Sequence, residues 1–291
     1  MLNAGIIFSF VALFAWGLGD FFIQKTVRLI GVWKALFFIG ILGSVGLFLF
    51  IQKELWVVIS QPSNLYLLIL LSVISIVFVL FYLSALKQGK IAVVDPIEGL
   101  ELPLTVGLSI VLAGEHLSLF QAILVALTFL GIIFAVAKEK KHLDVRQWVI
   151  EKGAILAGIG AVGMALTNFL TGISSQQTSP LLTIWFTHTL FVIVAGVYLI
   201  FSGEFKNLLN DLRKNSKIIF FQSVLDNIGW IAYALAMTYI SISIATTISE
   251  SFIALSVILG VFINKEKLKR HQFFGIVLVI VSIFILSLIT K

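Results

Sequence analysis

Ten runs of roughly twenty apolar residues follow one another along this 291-residue chain, separated by short polar breaks. They lie near 4–24, 32–51, 65–86, 92–113, 119–137, 153–173, 181–201, 217–238, 243–263 and 272–290. A helix rises about 1.5 Å per residue, so about twenty residues cross the roughly 30 Å hydrocarbon layer of a bilayer. None of the breaks is long enough to hold a soluble domain. The chain is therefore read as an all-α integral membrane protein with ten transmembrane helices. Charge agrees, because only 12% of the residues are Asp, Glu, Lys or Arg, where a water-soluble domain carries about 25%. With no cysteine in the chain, disulfides, thiolate metal sites and cysteine nucleophiles are all excluded.

The first run has no basic residue ahead of it, exceeds the length of a signal-peptide core and shows no small-x-small cleavage site, so it is expected to stay as a membrane helix. Of the 20 Lys and Arg, only Lys53 and Lys291 fall outside the odd-numbered loops. The positive-inside rule then places the odd loops in the cytoplasm and both termini outside, in a multi-pass protein of the cell membrane. The net charge of +6 is thus accounted for by anionic lipid headgroups. No nucleic acid is called for.

Sliding the chain against itself by 151 residues superposes Tyr82 on Tyr233, Glu115 on Glu266 and Gln121 on Gln272, together with several apolar pairs. A weaker echo sets Asp20-Phe21 on Asn168-Phe169. The repeat unit contains five spans, an odd number, so the second copy enters the membrane inverted. The expected organisation is a first five-helix repeat at 1–138, a basic connecting loop at 139–152 and a second repeat at 153–291. Inverted repeats of this kind build secondary transporters, with the site between the halves near the bilayer midplane.

Short motifs carry a family resemblance. They are Phe14-Ala15-Trp16-Gly17 in the first span, and the segments Gly114-Glu115-His116-Leu117-Ser118 and Lys265-Glu266-Lys267-Leu268, followed by Gln121 and Gln272. With ten spans in two halves, the chain resembles the EamA-type transporters of the drug/metabolite transporter superfamily. That resemblance implies an alternating-access carrier of small metabolites and does not specify the metabolite.

Six acids fall within or at the margin of the apolar runs: Asp20, Asp95, Glu98, Glu101, Asp226 and Glu250. No Lys or Arg sits comparably deep. An ionised carboxylate at mid-membrane costs about 2.5–3.5 kcal/mol on insertion scales, so these groups must line a wet cavity, bind cations or carry protons. Glu101 and Asp226 are expected roughly 14 Å into their spans, and Glu98 and Glu250 roughly 9–10 Å. Asp20 and Asp95 lie nearer a surface and read as interfacial caps. Glu98 and Glu101, three apart, share a helix face. Pro103 opposes the carbonyl of Gly99 and is expected to kink the helix and free that acceptor beside the glutamates. The competing reading is a buried acid hydrogen-bonded to a neighbouring helix.

Around the acids stand the remaining candidates. Trp230 is one turn from Asp226, an arrangement suited to cation–π contact with an amine. Trp16, Tyr82 and Tyr233 are further candidate aromatics, and Trp185 a weaker one. Asn168 and Asn227 read equally as ligands or as interhelical glue, and His188 as a proton relay or a structural imidazole. Glu115 and Glu266 read as turn and helix-start residues. Glycines 40, 43 and 46, with 158, 160 and 163, read as surfaces for close helix packing.

These features point to a secondary active transporter of amine-bearing, cationic or zwitterionic metabolites such as amino acids or amines. A proton is the candidate coupling ion, and a homodimer is a candidate assembly. A facilitative carrier of another substrate class is the alternative. An intramembrane enzyme is disfavoured, because the four histidines form no HExxH and offer no base beside a nucleophile. No cofactor or metal is expected.

Overall fold

A computed structural model describes residues 3–88, 94, 97–137, 152–264 and 269–290. Asp95, Glu266 and most of the connecting loop lie outside the described residues. All regular structure described is helical: α1 (Ala4–Ile30), α2 (Val32–Ile59), α3 (Pro62–Gln88), α4 (Glu101–Leu112), α5 (Leu119–Val136), α6 (Lys152–Gln177), α7 (Pro180–Phe201), α8 (Leu208–Tyr239), α9 (Ile242–Ser249), α10 (Phe252–Asn264) and α11 (Arg270–Ile289). A single 3-10 turn, Phe205–Asn207, precedes α8. Lys152, expected to end the connecting loop, opens α6 instead.

The helix ends follow local chemistry. The Asn3 side chain accepts from Gly5 N at 2.8 Å and starts α1, and Gly31, at φ 91°, separates α1 from α2. Ser118 and Gln121 form a reciprocal capping box at α5. The repeated glutamine plays the same part at α11, where Gln272 Oε1 accepts from Lys269 N at 3.1 Å. Ser179 caps α7 ahead of Pro180, and Ser241 caps α9.

Several helices run past the apolar stretches. α1 continues to Ile30 rather than ending near 24, α2 reaches Ile59, and α8 begins at Leu208 with a kink at Asn215. Lys25 and Arg28 therefore ride on an exposed helical face, not on a loop. Long basic side chains do this readily, laying their stems along the helix and their charges in the headgroups.

Helix pairing shows how the halves fit. The most extensive contacts are α1 on α8, α3 on α6, α2 on α7 and α5 on α11. Exchanging each span with its counterpart in the other half turns the α1–α8 pair into α6–α3 and leaves the other two pairs unchanged. The packing is that of two five-span repeats related by a twofold. Leu49, Val111 and Phe201 are 75, 78 and 88% exposed, an outer surface that lipid, not water, can cover.

Both the fourth and the ninth spans are broken. Gly99 and Leu100 form a turn ahead of α4, and Glu250 and Ser251 form one between α9 and α10. The two breaks coincide under the 151-residue shift. Pro103 is not the kink itself. It is the third residue of α4, where its missing N–H forfeits no intrahelical bond. The break in the ninth span has neither proline nor glycine, and it divides what reads as one continuous run.

Candidate functional site

One cavity lies where the halves meet, lined by α1, α2, α3, the fourth span, α6, α7, α8 and the ninth span. α5 and α11 contribute nothing to its wall; they pack on each other, Gly131 against Gly275. Its free space is about 70 Å³, well under the roughly 300–1,000 Å³ of a ligand pocket. Waters fit; a metabolite requires the walls to move.

Of the expected residues, Glu98, Glu101, Asp226, Glu250, Asn168, His188, Trp16, Trp230 and Tyr82 line this cavity. Glu101 opens α4 in the first half, and Glu250 sits in the break of the ninth span in the second. Asn168 of α6 joins them: its Nδ2 donates to Glu250 Oε1 at 3.1 Å, and the same amide reaches Glu101. Asp20 and Asn168, paired by the weaker echo, both line the cavity.

Asp20 needs correction. It is not an interfacial cap but lies well inside α1, lines the cavity and accepts from the Tyr82 hydroxyl at 3.1 Å. The continuation of α1 to Ile30 is what carries it inward. Asp226 stands on α8 with His188 Nε2 3.9 Å from its Oδ2. The buried His188 ring also hydrogen-bonds the Asn227 side chain. Gly43 makes room for this ring: a Cβ there would run into both His188 and Asn227.

Two expected residues face elsewhere. Asn227 is buried outside the cavity wall, and its amide donates to the carbonyls of Ile39 at 3.1 Å and Ser223 at 2.8 Å, tying α8 to α2. Tyr233 is fully buried and bonds Thr246 at 2.6 Å. It supports Trp16 from behind, at 5.2 Å between ring centroids. Trp16 also meets Trp230 edge-on at 5.2 Å and Phe252 at 5.9 Å, forming an aromatic wall. Trp185 lies away from the cavity and donates to Ser44 O at 2.9 Å. Of the expected packing glycines, Gly46 faces open space, whereas Gly40, Gly160 and Gly163 meet neighbouring helices.

Sequence reasoning missed Ser75, Thr167, Thr171 and Thr187, all of which line the cavity. Isolated hydroxyls in apolar spans usually bond back to the preceding turn, so nothing in the sequence distinguishes them. Ser75 Oγ and Thr167 Oγ1 are buried without a partner. Among the described residues, no three His, Asp or Glu are grouped closely enough to hold a metal ion.

A lipid-facing bundle of two five-span halves around a carboxyl-bearing cavity is the fold of a multi-pass membrane transporter. The chain belongs to the EamA-like transporter family, which matches it at residues 3–137 and again at 151–288. No curated protein sequence matches the chain. A protein known from a crystal structure is similar to it over 98% of this chain and 96% of that chain, with a TM-score of 0.74 and 14% identity. That likeness concerns the fold alone.

Proposed function

We propose that this chain moves small amine-bearing metabolites, cationic or zwitterionic, across the cell membrane by alternating access, in exchange for protons. The observation that carries the reading is the cavity's charge. Asp20, Glu98, Glu101, Asp226 and Glu250 converge on it beside Trp16 and Trp230, and no Lys or Arg is among its described lining residues. Buried carboxylates are expensive unless a cation or a proton neutralises them. Either occupant satisfies the site, and simple anions are repelled. An indole wall adds cation–π attraction for an ammonium group.

Exchange then needs little more. A cavity whose carboxyls hold protons in one passage and an ammonium in the other lets each occupant drive its counterpart, since each favours the conformations that bind it. The narrow cavity fits a carrier that must open to one side to load. The two repeats, interlocked through the α1–α8 and α3–α6 pairs, supply the walls of this cavity jointly.

The test is uptake of a labelled amine into proteoliposomes at fixed membrane potential, with and without a pH gradient. Gradient-driven accumulation that a protonophore abolishes is expected. Flux indifferent to the gradient leaves facilitated carriage, and absence of any amine flux overturns the reading.

A further inference from the structure

The carboxyls of the cavity are not equivalent. We propose that they divide the work: Glu101, Asn168 and Glu250 seat the ammonium of the substrate, while the Asp226–His188 pair holds the exchanged proton. This rests on the cation-for-proton reading above and adds to it a separate place for each occupant.

The first group is built as a cation seat. Glu101 comes from one half, Glu250 from the other, and Asn168 donates to Glu250 at 3.1 Å while also reaching Glu101. Both glutamates stand at helix breaks that coincide under the repeat, Glu101 just after one and Glu250 within the other. An ammonium between two carboxylates from opposite halves draws those halves together, which couples loading to closure. Thr167, one residue before Asn168, adds a buried hydroxyl in the cavity wall that has no partner within the protein. An ammonium carries three donors and suits such acceptors.

The second group has different chemistry. Asp226 faces an imidazole at 3.9 Å, too long for a hydrogen bond but close enough for a proton on either group to draw them together. The His188 ring is buried with Nε2 toward Asp226 and hydrogen-bonds the Asn227 side chain, so a proton shared with Asp226 stays on a ring that its neighbours hold in place. The titratable groups facing Asp226 are Asp20 from α1 and His188 from α7. Leu36 and Ile39 of α2 and Asn168 of α6 line the same cavity. Trp230, one turn on along α8, hydrogen-bonds the Asp226 carboxylate. In the exchange only N–H and O–H bonds change. A proton bound at the pair from one side leaves to the other, and the pair returns to its starting state.

Two readouts separate the roles. The probes are butylammonium and 1,4-butanediammonium, with binding read by thermal shift and amine-for-amine counterflow read in proteoliposomes at equal pH on both sides. Glu250→Gln should weaken binding at least about tenfold, as loss of one member of a buried charge site does, and should abolish counterflow. Asp226→Asn should lose pH-driven accumulation, while its binding and counterflow fall far less than those of Glu250→Gln; some change in amine affinity accompanies it, because a lost proton site is a lost coupling partner. Should Asp226→Asn not fold, His188→Gln is expected to give the same pattern. A fall in counterflow as large as that of Glu250→Gln in the Asp226 or His188 variant, or retention of pH-driven accumulation, overturns the division. If the unmodified chain binds and exchanges neither probe, the cation reading itself falls, an outcome distinct from both.

Discussion

Glu115 holds Ser243 twice. The backbone N–H of Ser243, at 3.0 Å, and its hydroxyl, at 2.6 Å, donate to the same carboxylate oxygen, while Ile242 N donates to the other. Glu115 lies in the turn between α4 and α5 of the first half, and Ser243 in the first turn of α9 of the second. A carboxylate placed there satisfies orphan N–H groups and complements the helix dipole. The expected turn residue is thus also a cap on the opposite half, and α9, buried along its whole length, has few other ways to satisfy its start.

Replacing Glu115 with Ala should lower stability by about 2–3 kcal/mol, the range for charge-assisted hydrogen bonds left unmade. Thermal unfolding in detergent would show it. A midpoint equal to that of the unmodified chain would mean the contact contributes nothing to the resting state.

Gly43→Ala should be costly and Gly46→Ala should not. A Cβ at Gly43 lands on the His188 ring and the Asn227 amide, whereas nothing lies within 4 Å at Gly46. Overpacking of that kind costs about 1–3 kcal/mol, and Gly43→Ala should also reduce transport by moving His188. Gly46→Ala should be neutral or stabilising by up to about 1 kcal/mol, from helix propensity. Equal effects at the two sites would contradict the packing.

Lys34 Nζ contacts Glu204 at 2.6 Å and Asp211 at 2.9 Å, joining α2 to the segment between α7 and α8 and to the start of α8. The Lys34 ammonium holds the carboxyl of Glu204 below its usual value of 4.5. A group whose pKa is lower folded than unfolded stabilises above its unfolded value and loses that contribution as pH falls through the folded one. The difference in unfolding midpoint between Glu204→Gln and the unmodified chain should therefore be present near pH 7 and be lost in acid, as pH falls below 4.5 and through the folded value. It should also shrink in high salt, since Glu204 is exposed. A difference that grows in acid would reverse the sign.

Orientation rests on the basic residues. The chain has no cysteine, so single cysteines report cleanly. A cysteine at Gln61, between α2 and α3, should react with an impermeant thiol reagent on intact cells, and one at Lys206, between α7 and α8, should not. The opposite labelling would place the termini in the cytoplasm.

Much of this protein was decided by composition and order along the chain. Apolar run length is a local property set against a fixed bilayer thickness, so class, span count and repeat follow from it without any knowledge of packing. The deep acids were legible too, because a carboxyl in an apolar run is conspicuous wherever its helix ends up. Packing decided the rest. It broke the ninth span at Glu250, where no proline or glycine signals a break, and brought Asn168 to it across 82 residues of sequence. It drew Asp20 into the cavity by extending α1, and it turned Tyr233 and Asn227 away, toward Thr246 and the Ile39 carbonyl. Which side of a helix meets the cavity depends on the neighbours that press on it. In spans apolar on every face, no hydrophobic stripe records that choice.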